Sequence, residues 1–398
     1  MGLLSGTSVD AIDTAACEIH PAGDGELALR PLGHREHPWP PGLRERILAV
    51  LPPAATTVGE VCALDNEIGQ AFAAAAVDAV RDLAGGRADL VATLGQTVYH
   101  DVRDGRCHGT LQLGQPAWIA EATGLPVVSD LRSSDVAAGG HGAPLASTLD
   151  ALWLAGSPGS RAALNLGGIA NATVVPGDGG PVTAFDTGPA NCLLDLAAAR
   201  ITCGAQSCDR DGALAAAGAV REDLLAALAD HPYFAAPPPK SCGRELFGTE
   251  FLDAALARVP PVDPNDLMAT LTELTARTVA AALTPYHLTE VVLSGGGVRN
   301  PAVTGALHRC LPAVRWRASD TLGLPSDAKE AYLVALLGAL TWHGLPGTVR
   351  RPDGRTVTGA RRTTVLGRVT PAPTRTAAPP TRLRVLPPPA GQTGRKES

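Results

Sequence analysis

Gly2-Leu3-Leu4-Ser5-Gly6-Thr7-Ser8 runs into Val9-Asp10-Ala11-Ile12-Asp13-Thr14-Ala15-Ala16-Cys17-Glu18-Ile19. This reads as a short apolar strand, a Gly/Ser/Thr turn and a second strand of alternating character. About 160 residues later the same order returns, as a pattern without sequence identity. Ala162-Ala163-Leu164-Asn165-Leu166 is a strand, followed by Gly167-Gly168 and a polar turn around Asn171. Further strands follow over 171–176 and 182–186. Helical periodicity covers 41–52, 58–84, 115–123, 209–231, 265–284 and 327–343, with another helix from about 190. Apolar strands fit 89–94, 125–129 and 290–294. Strands alternating with helices predict an α/β architecture.

The composition narrows the function. A chain of 398 residues with 45% hydrophobic content is long enough for two or three cores. A formal charge of −6 argues against nucleic acid as the main partner. No uncharged apolar run reaches membrane-spanning length. The opening residues lack a basic segment followed by an apolar one, so no secretory signal is expected. Eight scattered cysteines without a CxxC pair read as reduced thiols of a cytoplasmic protein. The chain begins only four residues before the first turn, so either the first strand is short or the start lies upstream.

Several segments carry groups suited to chemistry. In Ser5-Gly6-Thr7-Ser8, small residues let successive N–H groups form an anion nest, and Asp10 and Asp13 follow. A carboxylate beside such a nest suits Mg²⁺. An ordinary hairpin turn explains the segment equally well. It is not a P-loop, because no lysine is near. Asn165-Leu166-Gly167-Gly168-Ile169-Ala170-Asn171 is a second candidate phosphate turn. Ser294-Gly295-Gly296-Gly297-Val298-Arg299-Asn300 offers bare backbone on which a planar base can lie. Asp186, in Phe185-Asp186-Thr187-Gly188-Pro189, ends a strand and suits a general base or a turn cap. Gly95-Gln96-Thr97-Val98-Tyr99-His100 is expected as a loop after the 89–94 strand, offering amide, hydroxyl and imidazole to a sugar. Arg132, flanked by Asp130 and Asp135, can clamp a carboxylate or form a surface ion pair. Lys240-Ser241-Cys242-Gly243-Arg244-Glu245 can close on a ligand or cap a helix. Asp327-Ala328-Lys329-Glu330 reads as a helix start.

Taken as an ordered set, these segments resemble the anhydro-N-acetylmuramic acid kinases, sugar kinases of the actin/hexokinase-like superfamily. Gly139-Gly140-His141-Gly142-Ala143-Pro144-Leu145, Ala190-Asn191 and Thr358-Gly359-Ala360 belong to the set, which runs from residue 2 to about 371. The resemblance implies two lobes, each on an RNase H-like sheet, with ATP in the cleft between them. Lobe I is expected over 1–135, completed by 346–371, lobe II over 136–345, and a disordered tail over 372–398. Residues Ser5 through Asp13 (Ser5, Gly6, Thr7, Ser8, Val9, Asp10, Ala11, Ile12, Asp13) and Asn165, Gly167, Gly168 and Asn171 would hold the phosphates. Gly295, Gly296, Gly297 and Asn300 would hold the adenosine, and Asp10 the Mg²⁺. Gln96, Thr97, His100, Asp130, Arg132, Asp135, Gly188 and Asn191 would meet the sugar.

The implied reaction hydrolyses the 1,6-anhydro bridge of 1,6-anhydro-N-acetylmuramic acid and phosphorylates the 6-oxygen, in cell-wall recycling. Asp186 matches the base that activates water, and Glu330 matches a second acid that helps position it. The family often dimerises, so a homodimer is an open expectation. Relative to the family pattern, Ala11 and Ala190 stand for glycines, His141 for glutamine, Gln115 for aspartate and Cys242 for threonine. A kinase for a reducing amino sugar and a non-catalytic sugar sensor are the alternatives. No DNA-binding helix-turn-helix precedes the first turn, and Asp186 is present, which weighs against the sensor.

Overall fold

A computed structural model describes residues 1–23, 25–156, 158–243, 245–373 and 382. Most of the expected 372–398 tail lies outside the described residues, as does Arg244. Twelve strands are described: β1 (Gly2–Ser5), β2 (Ile12–Gly23), β3 (Glu26–His37), β4 (Val91–Arg103), β5 (Arg106–Leu113), β6 (Val127–Ser129), β7 (Arg161–Leu166), β8 (Ile169–Val175), β9 (Thr183–Pro189), β10 (Glu290–Ser294), β11 (Arg315–Ala318) and β12 (Arg368–Thr370).

They form two sheets with one plan. The first runs β12-β6-β4-β1-β2-β3, with β5 hung on β4, and the second runs β11-β10-β7-β8-β9. In each, the first strand is central. An antiparallel meander lies on one side (β1-β2-β3 and β7-β8-β9). Two parallel strands lie on the other (β4 then β6, and β10 then β11). This duplicated mixed sheet is the two-lobed actin/hexokinase-like fold.

Helices bury their apolar sides against both sheets. Val58–Leu83 is capped by Thr57, whose side chain accepts from the Glu60 N–H, and it buries Leu64, Ile68 and Phe72. On the second sheet, Pro264–Leu283 starts at the Asp263 cap and buries Leu271, Leu274 and Val279. Each such side chain contributes roughly 1.5–3 kcal/mol on leaving water. Helix Lys329–Trp342, within the 136–345 range expected for lobe II, packs on the first sheet instead, in one core with Leu4, Ala15, Ala92 and Val128. It approaches closely because there is a glycine on each side of the contact: a Cβ on Gly2 of β1 would lie 2.0 Å from the Ala331 carbonyl oxygen, and one on Gly338 of the helix 2.3 Å from Ala92 Cβ.

Three local expectations change. Gly95–His100 is not a loop: β4 continues to Arg103 because it pairs with β5, a strand the sequence pattern does not show. The mostly exposed β3 is likewise absent from the periodicity, since neither face is strongly buried. The helix expected over 209–231 breaks into Arg210–Gly212, Ala213–Ala216 and Glu222–Ala229. Its breaks fall at Gly212, with φ +67, and at Gly218, where a Cβ would lie 2.0 Å from the Asn265 carbonyl oxygen. Among the described residues no helix is long and apolar enough to cross a membrane.

Candidate active site

Strand register assembles the second half of the site. Ser294 pairs with Asn165, Asn165 with Asn171, and Asn171 with Asp186. Four polar residues from four separate segments thus form one row across the sheet. Asp186 ends the row at a bulge, where Ala170 pairs with Gly188 and Asn171 with Asp186, leaving Thr187 extra. Such bulges re-aim a side chain at a sheet end.

Among the described residues the Asp186 carboxylate has one hydrogen-bond partner: its Oδ2 accepts the Cys242 N–H at 2.9 Å. Its backbone is clamped too. Asp186 N–H donates to the Lys240 carbonyl at 3.0 Å, and Tyr233 Oη donates to the Asp186 carbonyl at 2.8 Å. The Lys240 ammonium is held by the Tyr233 and Phe234 carbonyls. The 240–242 segment therefore grips the candidate base. Because Cys242 acts through its backbone N–H, a cysteine in place of the family's threonine leaves that bond intact. Burial pushes the Asp186 carboxyl up to about 6, against the lowering effect of the Cys242 N–H; the charge of Glu245 raises it further.

The turn at Gly167-Gly168 is tied to the start of helix Asn191–Ile201. The Gly168 carbonyl accepts from the Ala190 and Cys192 N–H groups, and the Gly167 carbonyl from Asn191. Asn191 Nδ2 donates to the Leu166 carbonyl at 3.0 Å. Ala190, where the family has glycine, takes φ −125 and ψ −107, outside the left-handed region and also outside the main α and β regions. Gly297 lies on the same turn: a Cβ there would sit 2.7 Å from Leu166 Cβ. Gly295 takes φ +83 beside Asn165.

The first turn is held differently. Val9 adopts φ +57, and its N–H returns to the Gly6 carbonyl. Gln96, fully buried beside Ser5 across β1 and β4, donates to the Gly6 carbonyl at 3.2 Å. Arg44 donates to the Val9 carbonyl at 2.8 Å and pairs with the exposed Asp10 carboxylate. Asp13 is half-buried. Burial first, then the charges of Glu36, Glu330, Asp10 and Asp327, push it up to about 7. Burial, then the nearby Arg132 and His141, holds His100 below the usual imidazole value. Burial lowers Arg132, whose strongest opposing neighbour is Glu330. The sequence-predicted Asp13, Glu330, Arg132 and His100 thus share one field.

Among the described residues, five buried polar atoms have no hydrogen-bond partner at this end of the sheets: Ser5 Oγ, Gln96 Oε1, Arg132 Nε, Ser294 Oγ and Ser319 Oγ. Ser5 and Ser294 end β1 and β10, Arg132 and Ser319 follow β6 and β11, and Gln96 is the last β4 residue that pairs with β1. Open α/β sheets take ligands beyond the carboxyl ends of parallel strands. An unmet buried polar atom costs about 1–3 kcal/mol, so a polar ligand there is favoured. The two sheets meet nearby: Gly295 N–H donates to the Ser326 carbonyl, Arg299 pairs with Asp327, and the buried Lys329 ammonium lies 2.6 Å from Asp150.

Other expected site residues have holding tasks. Asn300 caps helix Pro301–Cys310, accepting from Ala302 and Val303. Asp130 pairs with Arg368 and accepts from Ser133. Gly188 makes room for Phe234. Thr97 accepts from Gln112. Asp135 is fully buried and bonded to the chain itself. Gln115 caps the helix Pro116–Thr123. Arg44 and Tyr233 were not expected from the sequence, since one lies on a helix and the other follows a proline with no flanking motif. A cavity of 1130 Å³ around Met1, Cys17 and Trp342 includes none of the site residues.

A mixed sheet built twice, with a polar turn after the first strand of each, is the architecture of a two-lobed kinase, a phosphotransferase acting on an alcohol acceptor. The model of the anhydro-N-acetylmuramic acid kinase family matches residues 1–372, and the chain belongs to that family. It is 55% identical to the anhydro-N-acetylmuramic acid kinase of Streptomyces coelicolor, covering 97% of this chain and 98% of that one. With the Streptomyces avermitilis kinase identity is 57%, over 93% and 94%. The Rhodococcus erythropolis kinase is 52% identical, over 93% and 94%. Among solved structures, a ROK family glucokinase from Streptomyces griseus in complex with glucose and AMPPNP matches with a TM-score of 0.33 and 14% identity, covering 84% of this chain and 97% of that one.

Proposed function

We propose that this chain uses ATP to open the 1,6-anhydro bridge of 1,6-anhydro-N-acetylmuramic acid and phosphorylate its 6-oxygen, releasing N-acetylmuramate 6-phosphate and ADP. The observation that carries the reading is Asp186. Its carboxyl is raised to about 6, and Oδ1 takes no hydrogen bond among the described residues. That oxygen is available as a base at neutral pH. In this reading it removes a proton from water as the water attacks the anomeric carbon. The bond from that carbon to the 6-oxygen breaks, and the 6-oxygen takes the γ-phosphoryl group. Phosphoryl transfer then replaces the acid that glycoside cleavage ordinarily needs. Glu330 and Arg132 face the sugar, with Arg132 Nε meeting its carboxylate.

Ser5–Ser8 and Gly167–Gly168 supply backbone N–H groups to the phosphates, and Gly295–Gly297 a surface for adenine. Among the described residues no three acidic, histidine or cysteine side chains stand close enough to form a ready-made metal site, so Mg²⁺ would be held by one or two carboxylates together with the phosphates. Asp13 stands among like charges that raise its pKa, which a cation relieves, and Asp10 flanks it. Mg²⁺ there would neutralise charge on the transferring phosphoryl group. We further assign residues 1–135 with 346–371 to one lobe and 136–345 to the other, except helix Lys329–Trp342, and place the protein in the cytoplasm, where a chain with scattered cysteines and no CxxC pair is at home. A homodimer is left to a mass measurement in solution.

The test is ADP release with Mg²⁺-ATP on the anhydro sugar, on reducing N-acetylmuramic acid and on N-acetylglucosamine, run in ¹⁸O-water. Turnover of the anhydro sugar alone, with label at the anomeric oxygen, supports the reading. Turnover confined to a reducing sugar overturns it in favour of a simple kinase.

A further inference from the structure

Thr358-Gly359-Ala360 stands more than 200 residues from Arg132 in sequence, and the reaction as derived gives it no task. The structure connects them. Thr358 Oγ1 donates to Asp135 Oδ1 at 2.6 Å. The other oxygen, Asp135 Oδ2, accepts the Gly142 N–H at 2.7 Å. The Gly142 carbonyl in turn accepts from Arg132 Nη1 at 2.6 Å. Thr358 is itself held from behind, since Ala360 N–H donates to Thr356 Oγ1, which lies 2.7 Å from Thr358 Oγ1. Backbone bonds pin the two segments on either side: His141 N–H to the Thr358 carbonyl and Arg361 N–H to the Ala138 carbonyl. Gly140 has no space for a side chain, because a Cβ would sit 2.2 Å from Asp135 Oδ2.

We infer that Thr358 and Asp135 are positioning residues for Arg132, setting the guanidinium through the backbone of Gly142 so that its buried, unpartnered Nε is held in place for the substrate. The physical reason is the chain of bonds. A buried carboxylate with a donor on each oxygen pins the Gly142 N–H, and the Gly142 carbonyl that anchors Arg132 lies in the next peptide unit, joined to that N–H through the Gly142 backbone at φ +66. A guanidinium with one carbonyl partner and a free Nε can still swivel about its stem; anchoring removes that freedom before the ligand arrives. The inference rests on the reading that Arg132 meets the sugar's carboxylate. It also moves Asp135 from substrate contact to support.

The experiment compares T358V, which keeps shape and removes the hydroxyl, with T358S, which restores it. In T358V, KM for the anhydro sugar rises about tenfold while kcat and the ATP Kd stay within about twofold, as expected for lost ground-state binding. T358S returns KM to the wild-type value. Adding T358V to R132K changes KM by less than about twofold, because both act through one group. The Arg132 Nε–H resonance, assigned by its absence in R132K, shifts in T358V and recovers in T358S. This readout needs no substrate, so absence of wild-type turnover would overturn the functional reading and leave the resonance to decide positioning. An unmoved resonance, full additivity with R132K, or equal loss of ATP and sugar binding overturns the inference.

Discussion

The two halves of the molecule share a sheet order and differ in what they place at the turn. At the first turn Asp13, raised first by burial and then by the charges of Glu36, Glu330, Asp10 and Asp327, stands at about 7. The second is lined by the amides Asn165 and Asn171, with the single acid Asp186 at about 6. Both carboxyls are raised first by burial, but only Asp13 has several like charges behind it. The difference teaches a division of labour. A carboxyl in the field of several like charges is eased by a cation, whereas Asp186, with Glu245 the one charge that raises it, is suited to take a proton. The turns are also anchored differently. Long side chains, Gln96 and Arg44, hold the first, while the backbone of helix Asn191–Ile201 holds the second.

The sharpest way to break this comparison is to neutralise one acid at a time. Asp186→Asn should lower kcat by roughly a thousandfold, in the range for loss of a general base, with ATP Kd unchanged by calorimetry. Comparable activity in D186N would end the assignment of the base. Asp13→Asn should act through the metal instead, raising the Mg²⁺ concentration for half-maximal rate about tenfold, as read from a magnesium titration of ADP release. If D13N moved sugar KM and not the magnesium requirement, the acidic turn would belong to the sugar.

The anchoring contrast is tested by Asn191→Ala and Arg44→Met. N191A, which breaks a bond to the Leu166 carbonyl, should raise ATP KM by about threefold to fivefold, and R44M by about twofold or less, because Arg44 is half-exposed. The smallest effect concerns pH. As a base Asp186 must be ionised, so kcat/KM for the sugar should rise with pH through about 6 and then level. The stability effect has the opposite sign. The folded pKa lies above the ordinary carboxyl value, so the folded state binds more protons between the two, and stability falls as pH rises through about 6. D186N should remove that loss and raise the unfolding free energy at pH 8 by on the order of 1 kcal/mol relative to its effect at pH 4, measured by urea denaturation.

Much of the fold was legible because its signals are local. Thr57 before a strongly periodic run marks helix Val58–Leu83, and short apolar runs ending in glycine mark β7 and β10. β3 and β5 were not legible, since their exposed residues, such as Arg30, Glu36, Arg106 and His108, carry no burial alternation. Site residues on strand ends were found by type. Yet Asn300, Asp130 and Asp135 have the same residue types and serve as caps and struts. Only their partners (Ala302 N–H, Arg368 and Thr358) tell the tasks apart.

From residue order alone came the duplicated strand and turn pattern, the chemistry available at each turn, and the resemblance to one kinase family. These depend on neighbours a few positions apart, and backbone sterics and hydrophobic period act at that range. Three-dimensional packing settled the rest. It aligned Ser294, Asn165, Asn171 and Asp186 in one row, set the Cys242 N–H on the Asp186 carboxylate, and laid helix Lys329–Trp342 on the first sheet. It also carried Thr358 to Asp135. Strand register and close packing join residues tens to hundreds of positions apart, and no local pattern encodes which of them will meet.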